Sequence, residues 1–297
     1  MRGHGSRLAS SFAPLDRMSG AGKTLAIATV AITPDLDPAV SRERMAAFVR
    51  RIVDENPDVR LIHFGETILG WFYVKGGTEA YHRRIAEPIP GPSTEFVADL
   101  AREHDVHVSF GISERRGEAL HNAQVVLDPR GEIVAVHRKF WIRNRVFTPG
   151  ERTLTTVDIE GAKAAILICA DARSLWLLRA IRRARIDLVL ASLADYGTSL
   201  RMSEMLGTFF DAWTVVANRF GEEPPLTWHG LITITDRLGR LRAHGIGDER
   251  YLVQRIPLPA AGVVRRKSRR VAAACRCLAV ACAMAGAWVV GRVRRGE

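Results

Sequence analysis

Three ionisable side chains of complementary chemistry each follow a predicted strand. They are the carboxylate of Glu66, the ammonium of Lys139 and the thiol of Cys169. A thiol can attack an unsaturated carbon while a carboxylate takes its proton and an ammonium stabilises the oxyanion that forms. A nearby cation also lowers the pKa of a cysteine from its ordinary value of about 8.5, which supplies thiolate at neutral pH. The order and placement of the three groups therefore indicate an acyl-transfer site.

Cys169 ends a short apolar run, Ala164 to Ile168, that is typical of a strand buried on both faces. Asp171 and Ser174 offer caps for a helix predicted over about 175–185. A thiol at such a strand-to-helix turn lies where open α/β sheets bind ligands, near a helix N-terminus that favours thiolate. No other cysteine precedes the C-terminal tail, so neither a disulfide nor a CxxC metal site explains it. The alternative is a buried apolar thiol without chemistry.

Apolar runs and turn residues divide the chain into strands and helices. Strands are predicted near residues 25–32, 59–64, 106–112, 123–127, 132–137, 155–159, 164–168, 187–192, 214–218, 231–235 and 251–256. Helices are predicted near residues 38–55, 93–104, 175–185 and 203–213. Residues 71–91, with several aromatics and glycines, are predicted to form an irregular loop that covers a site. The pattern favours a mixed sheet, or paired sheets, covered by helices.

Six stretches, collinear and plausibly spaced, resemble motifs of the nitrilase, or carbon–nitrogen hydrolase, superfamily. They are Phe64-Gly-Glu66, His137-Arg-Lys139, Phe147-Thr-Pro-Gly150, Ile168-Cys-Ala-Asp171, Ala217-Asn-Arg-Phe-Gly221, and His229-Gly-Leu-Ile-Thr-Ile-Thr-Asp236 with Leu238-Gly239. The resemblance spans residues 25–258 and implies a carbon–nitrogen hydrolase domain over 24–260. It also implies an α/β fold, a four-layer α-β-β-α sandwich, commonly assembled as a homodimer or a higher homo-oligomer.

The resemblance further implies a role for each ionisable residue. Cys169 would be the nucleophile that forms a thioester, and Glu66 the general base and later the general acid. Lys139 would stabilise the tetrahedral intermediate together with the backbone N–H of Ala170. The family cleaves non-peptide carbon–nitrogen bonds in amides, N-carbamoyl compounds or nitriles. We therefore expect a small amide or N-carbamoyl compound as the substrate.

Neither a metal nor an organic cofactor is expected. The family needs none, and the nine histidines of the chain form no HxH or HxxxH pair. The remaining cysteines, Cys275, Cys277 and Cys282, have a spacing that suits no zinc site. They are predicted to be small apolar residues of a helix in the C-terminal tail.

The loop after the lysine departs from the family pattern. A second glutamate is usual there, whereas residues 140–150 contain no acidic side chain and Arg143 stands near its place. Arg143 could bind an acidic substrate through a two-pronged ion pair, with a solvated surface arginine as the alternative. Glu151, Trp141 and Tyr73 are further candidates for substrate binding. Acyl transfer to an amine or alcohol, and a non-catalytic protein that retains the fold, stay open beside hydrolysis.

The net charge of +11 is concentrated at the two ends of the chain. Residues 1–23 carry +3 and residues 265–297 carry +8, which leaves residues 24–264 neutral. A neutral globular part offers no basic groove, so nucleic-acid binding is not expected. The extension over 1–23 is rich in glycine, serine and arginine and lacks the apolar run of a signal peptide. It is predicted to be disordered.

The tail over 261–297 is predicted to contain a basic, apolar helix outside the sandwich. Residues 271–291 include one charge, Arg276, and as a helix would extend about 31 Å, enough to span a bilayer. Five basic residues precede this segment and favour a cytoplasmic globular part tethered to the cytoplasmic face of the membrane. A helix lying on anionic lipid, and a tail without membrane contact, are the alternatives.

Overall fold

The computed structural model describes residues 23–142, 145–197 and 200–258. Most of the predicted basic extension and all of the tail over 261–297, including the candidate membrane segment 271–291, lie outside these ranges. No helix within the described ranges is long and apolar enough to cross a bilayer.

The described residues form thirteen strands, five α-helices and one short 3₁₀ helix, Cys169–Arg173. The strands are β1 (Thr24–Ile32), β2 (Val59–His63), β3 (His107–Arg116), β4 (Ala119–Leu127), β5 (Ile133–Arg138), β6 (Thr156–Ile159), β7 (Ala162–Ile168), β8 (Leu188–Ser192), β9 (Trp213–Glu223), β10 (Leu226–His229), β11 (Ile232–Thr235), β12 (Leu241–Gly245) and β13 (Arg250–Pro257). The helices are α1 (Pro38–Glu55), α2 (Thr78–Ile85), α3 (Pro92–His104), α4 (Leu175–Arg183) and α5 (Arg201–Phe210).

The strands build two sheets that are joined through β1 and β9. The first sheet runs β5-β4-β3-β2-β1, with β13 antiparallel to β1. The second runs β6-β7-β8-β9 and continues through β11 and β12. Ala31 and Ile32, the last residues of β1, pair in parallel with Asn218 and Arg219 in the middle of β9. The C-terminal end of β1 in the first sheet therefore lies beside the middle of β9 in the second.

Three apolar clusters define the layers. One packs α1 and α3 against the outer face of the first sheet, and another packs α4 and α5 against the outer face of the second. The third lies between the sheets and includes Leu25 and Ile27 of β1, whereas Ala28 and Val30 of the same strand face α1. Both faces of β1 are therefore buried, which explains its continuous apolar run. The predicted four-layer α-β-β-α sandwich is confirmed.

The predicted element order lacks three elements, the helix α2 and the strands β10 and β12. The segment 71–91 is not wholly irregular, because α2 occupies its middle. Only Tyr81 and His82 of α2 are buried, so the helix has no apolar stripe from which it could have been predicted. The last strand, β13, pairs antiparallel with β1, a long-range contact that local patterns do not reveal.

Gly111 of β3 supports the backbone that carries Glu66. A Cβ atom at Gly111 would lie 2.3 Å from the Thr67 nitrogen and 2.6 Å from the Gly65 oxygen. The two segments also exchange hydrogen bonds, from Gly111 N–H to the Gly65 oxygen and from Ile68 N–H to the Gly111 oxygen. Because the backbones touch, only glycine fits here without displacing the segment after β2.

We expect Gly111→Ala to lower the free energy of unfolding by about 1–3 kcal/mol, since the added methyl overpacks a rigid backbone contact. Urea denaturation of the full chain measures this loss. The control is Gly77→Ala, where the nearest atom to the added Cβ is 4.0 Å away, and which should cost less than about 1 kcal/mol. Equal losses for the two variants would contradict the proposed contact.

Candidate active site

The three ionisable residues lie at strand ends of both sheets. Glu66 follows β2 and Lys139 follows β5, in the first sheet, whereas Cys169 follows β7 in the second. Lys139 Nζ donates a hydrogen bond of 2.6 Å to Glu66 Oε1, and both side chains are buried. The structure thus brings together an acid and an amine that are separated by 73 positions in the chain.

The Glu66 carboxylate is held at both oxygens. Oε1 accepts a second hydrogen bond from Asn122 Nδ2 at 2.6 Å, and Oε2 accepts one from the Ala194 N–H at 2.9 Å. Burial lowers the pKa of Lys139, but the charge and hydrogen bond of Glu66 together with the charges of neighbouring acidic groups outweigh burial, so the pKa is raised overall. Lys139 is therefore an ammonium at neutral pH, and the Glu66 carboxylate is oriented by groups from β4 and from the loop after β8.

Cys169 is the first residue of the 3₁₀ helix and has a positive φ of 41°. Such a conformation is unfavourable for a residue with a Cβ and costs of the order of 1–3 kcal/mol. Burial, and then the Glu66 charge, raise the pKa of the thiol to about 12, against the opposing effects of Lys139 and the Ala194 N–H. The predicted lowering of this pKa is wrong, because burial and the carboxylate outweigh the cation. The resting group is a thiol.

Asp171 links the cysteine segment to the lysine segment. Its carboxylate accepts hydrogen bonds from His137 Nε2 at 3.0 Å and from the backbone N–H of Trp141 at 2.8 Å. The prediction that Asp171 caps the following helix is wrong, since the cap of α4 is Ser174, whose hydroxyl accepts from the Leu177 N–H. Asp171 instead fixes the positions of two loops relative to each other.

A buried ion pair, Arg219 with Glu223, braces the segment after β2. Arg219 Nη1 donates to the backbone oxygen of Glu66 at 3.0 Å, and Nη2 to that of Gly70 at 2.7 Å. Glu223 Oε2 accepts from the backbone N–H groups of Phe72, at 2.8 Å, and Tyr73, at 3.1 Å. Arg219 belongs to a motif already noted in the sequence, but the part played by Glu223 has no local signal.

Comparison with known proteins identifies the family. The model of the carbon-nitrogen hydrolase family matches residues 24–265. The chain belongs to the carbon–nitrogen hydrolase family.

The relatives of this chain include a nitrilase and two amidases. A nitrilase of Pyrococcus abyssi is 32% identical over 156 residues, which cover 49% of this chain and 57% of the relative. An (R)-stereoselective amidase of a Pseudomonas species is 29% identical over 206 residues, 66% of this chain and 73% of the relative. A solved amidase of Nesterenkonia sp. AN1 superimposes with a TM-score of 0.70 at 18% identity, over 82% of this chain and 94% of that one. This chain therefore matches little more than half of the nitrilase.

None of the described residues predicted to bind the substrate is buried in this carbon–nitrogen hydrolase. Trp141 and Glu151 are exposed. The hydrogen bond to Glu114 raises the pKa of Arg138 most, and the negative charge of Glu151 adds a smaller rise. Tyr73 is half-buried, with its backbone held by Glu223. Arg143 lies outside the described residues.

The role of the Ala170 N–H stays a prediction, although the residue lies where the family resemblance requires it, directly after Cys169 in the 3₁₀ helix. Asn122, by contrast, was not predicted as a site residue. It lies in the middle of β4, where nothing in the local pattern distinguishes it, and only the pairing of β4 with β3 and β5 brings it to Glu66. Among the described residues, no three His, Cys, Asp or Glu side chains are grouped to hold a metal ion.

We expect Glu66→Gln to lower the pKa of Cys169, because the substitution removes the negative charge that disfavours thiolate. Lys139→Gln should raise the pKa, because it removes the stabilising cation. Since the wild-type pKa is about 12, the rate of Cys169 alkylation by iodoacetamide at a fixed pH of about 9, followed by mass spectrometry of the Cys169 peptide, compares the thiolate fractions of the three proteins. If the pKa of Cys169 changed in the same direction in both variants, the opposite effects inferred for Glu66 and Lys139 would be contradicted.

Asp171→Ala should lower the free energy of unfolding by about 1–3 kcal/mol, since it leaves a buried imidazole and two backbone N–H groups without their acceptor. Asp158→Ala is the control, because Asp158 is exposed and accepts only from the nearby Gly161 N–H. Thermal unfolding of both variants compares the two losses. The linking role of Asp171 would be refuted if the control lost as much.

Proposed function

We propose that this protein hydrolyses the carbon–nitrogen bond of a small amide or N-carbamoyl compound through a thioester on Cys169. The observation that carries the proposal is the buried hydrogen bond of 2.6 Å between Lys139 and Glu66, whose charges both act on the Cys169 thiol. An acid, an amine and a thiol in one buried site supply the base, the oxyanion stabiliser and the nucleophile that the reaction needs.

The first half-reaction forms the thioester. Glu66 accepts the thiol proton as the Cys169 sulfur attacks the carbonyl carbon, and the oxyanion forms beside Lys139 and the Ala170 N–H. Glu66 then gives the proton to the leaving nitrogen, the carbon–nitrogen bond breaks, and ammonia or an amine departs. Because the resting group is a thiol, the proton transfer accompanies the attack rather than preceding it.

The second half-reaction returns the free enzyme. Glu66 accepts a proton from water as the water oxygen attacks the thioester, and Lys139 again stabilises the oxyanion. The carbon–sulfur bond then breaks, the sulfur regains its proton from Glu66, and a carboxylic or carbamic acid is released. The same carboxylate thus serves both steps, which suits a group held at both of its oxygens.

More of the named relatives act on amides than on nitriles, which supports an amide substrate. The Pyrococcus abyssi relative is a nitrilase, whereas the Pseudomonas relative and the structural neighbour from Nesterenkonia are amidases and a Bacillus thuringiensis relative is a formamidase. A variant of the neighbour carries the acetamide moiety of fluoroacetamide covalently bound at its active-site cysteine. The corresponding adduct on Cys169 is a direct test in this chain.

We expect Cys169→Ala, Glu66→Gln and Lys139→Gln each to reduce kcat/KM by about 10³-fold or more, with similar losses because the three groups act as a unit. Ammonia release from a panel of short-chain amides and N-carbamoyl amino acids measures activity. Glu103→Gln, an exposed carboxylate on α3, is the control and should leave activity unchanged.

Two outcomes would favour the alternatives. Formation of hydroxamate with added hydroxylamine, without release of free acid in its absence, would indicate acyl transfer. Absence of any fluoroacetamide adduct on the Cys169 peptide of both the wild-type protein and Glu66→Gln, with labelling confined to the tail cysteines and no ammonia released from fluoroacetamide by the wild type, would indicate a non-catalytic protein. Assembly as a homo-oligomer, cytoplasmic location and membrane association through 271–291 stay predictions from the sequence and the family resemblance.

A further inference from the structure

Every buried carboxylate in the described part of the chain has a basic partner, whereas the half-buried carboxylate of Asp195, beside the site, has none there. Each buried acid contacts a basic side chain: Glu66 with Lys139, Glu114 with Arg138, Asp128 with Arg130, Asp171 with His137, Glu223 with Arg219 and Asp236 with Arg242. Asp195 is half-buried, yet no described basic side chain lies within ion-pair distance of it. Because removing a charge from water is costly without a partner, a ligand cation would complete this pattern.

Asp195 is fixed next to the catalytic acid. It follows Ala194, whose N–H donates to Glu66 Oε2 at 2.9 Å. Asn218 holds its backbone on both sides, accepting from the Asp195 N–H at 3.1 Å and donating to the Asp195 oxygen at 2.9 Å. The Asp195 carboxylate itself accepts a hydrogen bond at Oδ1 from the Gly197 N–H at 3.0 Å. The carboxylate is therefore positioned by the same loop that orients Glu66.

An exposed aromatic ring follows Asp195 in the chain. Tyr196 is 63% exposed, and its ring centre lies 6.3 Å from that of the buried Trp228. The Trp228 ring is already covered by the Arg219 guanidinium, whose central carbon lies 5.3 Å from the ring centre. Aromatic faces attract ammonium groups, so the exposed Tyr196 ring is a second group that favours a cation next to Asp195.

Asp195 adds negative charge to the site. Glu66 and Lys139 balance each other, and the Cys169 thiol is neutral at rest, so the Asp195 carboxylate, unpaired among the described residues, adds one negative charge to these groups. The charge of Asp195 reaches the sulfur, since it contributes to the raised pKa of Cys169. Asp195 therefore attracts a substrate with a positive group and repels an acidic one.

We propose that Asp195 is a specificity-determining residue, whose carboxylate binds the positively charged group of an amino-amide while the amide carbonyl lies at Cys169. The inference rests on the proposed function, because it names the class of substrate for that same reaction. It assigns Asp195 no part in the chemical steps.

The first test measures the charge preference at the sulfur without requiring turnover. Methanethiosulfonate reagents with an aminoethyl, a methyl and a sulfonatoethyl group are compared by their rates of reaction at Cys169, followed by mass spectrometry of the Cys169 peptide. We expect Asp195→Asn to lower the cationic-to-neutral rate ratio by about threefold to tenfold and to raise the anionic-to-neutral ratio. The ratios cancel any change in thiol pKa, which affects all three reagents alike.

Two further variants sharpen this measurement. Asp195→Glu keeps the charge and should retain most of the wild-type cationic preference. Asp54→Asn removes an exposed charge on α1 and should leave all ratios unchanged. Ratios that are the same in the wild type and Asp195→Asn would overturn the proposal, whatever the protein hydrolyses.

The second test uses a matched pair of substrates. Glycinamide and propionamide differ only in the replacement of a methyl by an ammonium group, so their kcat/KM ratio reports recognition of the charge. We expect Asp195→Asn to reduce kcat/KM for glycinamide by about tenfold and to change that for propionamide by less than about twofold. Equal losses on both substrates would overturn the proposal. A charge preference at Cys169 without hydrolysis of any amide would instead refute the proposed function and leave Asp195 as a cation-binding residue.

Discussion

The buried ion pair between Glu66 and Lys139 is the constraint on which the rest of the site depends. Removing both charges from water costs several kcal/mol per ion unless geometry and additional hydrogen bonds compensate. Here compensation comes from Asn122, in the middle of β4, and from the Ala194 N–H, after β8, so segments of both sheets must converge on one carboxylate. The joined sheets provide this convergence, since the last residues of β1 pair with the middle of β9.

A second set of buried polar contacts holds the loops that carry the pair. Asp171 joins the segments after β5 and β7, and the Arg219–Glu223 pair joins the segment after β2 to β9. Each contact links elements far apart in sequence, and each uses a charged group with several hydrogen bonds. A buried polar network is stable only in the arrangement that gives each of its groups a hydrogen-bond partner. Such a network is therefore suited to holding reactive groups in one position.

The same burial determines how the nucleophile is activated. A thiol beside a cation and a helix N-terminus would ordinarily be a candidate thiolate. In this protein burial and the neighbouring carboxylate raise its pKa to about 12, so the proton remains on sulfur until a base removes it. In the proposed mechanism Glu66 is that base, and a carboxylate held at both oxygens suits proton transfer in both directions. The environment thus favours a reaction in which deprotonation and attack are coupled.

The sequence by itself determined the strands other than β10 and β12, the helices other than α2, and the three ionisable residues, because these depend on local apolar runs, caps and short motifs. It could not predict α2, which has no apolar stripe, or the roles of Asn122, Glu223 and Asp195. Nor could it predict the direction of the Cys169 pKa shift. Only the tertiary structure decided these features, because each depends on burial or on partners brought together by long-range strand pairing, and neither quantity is encoded in neighbouring residues.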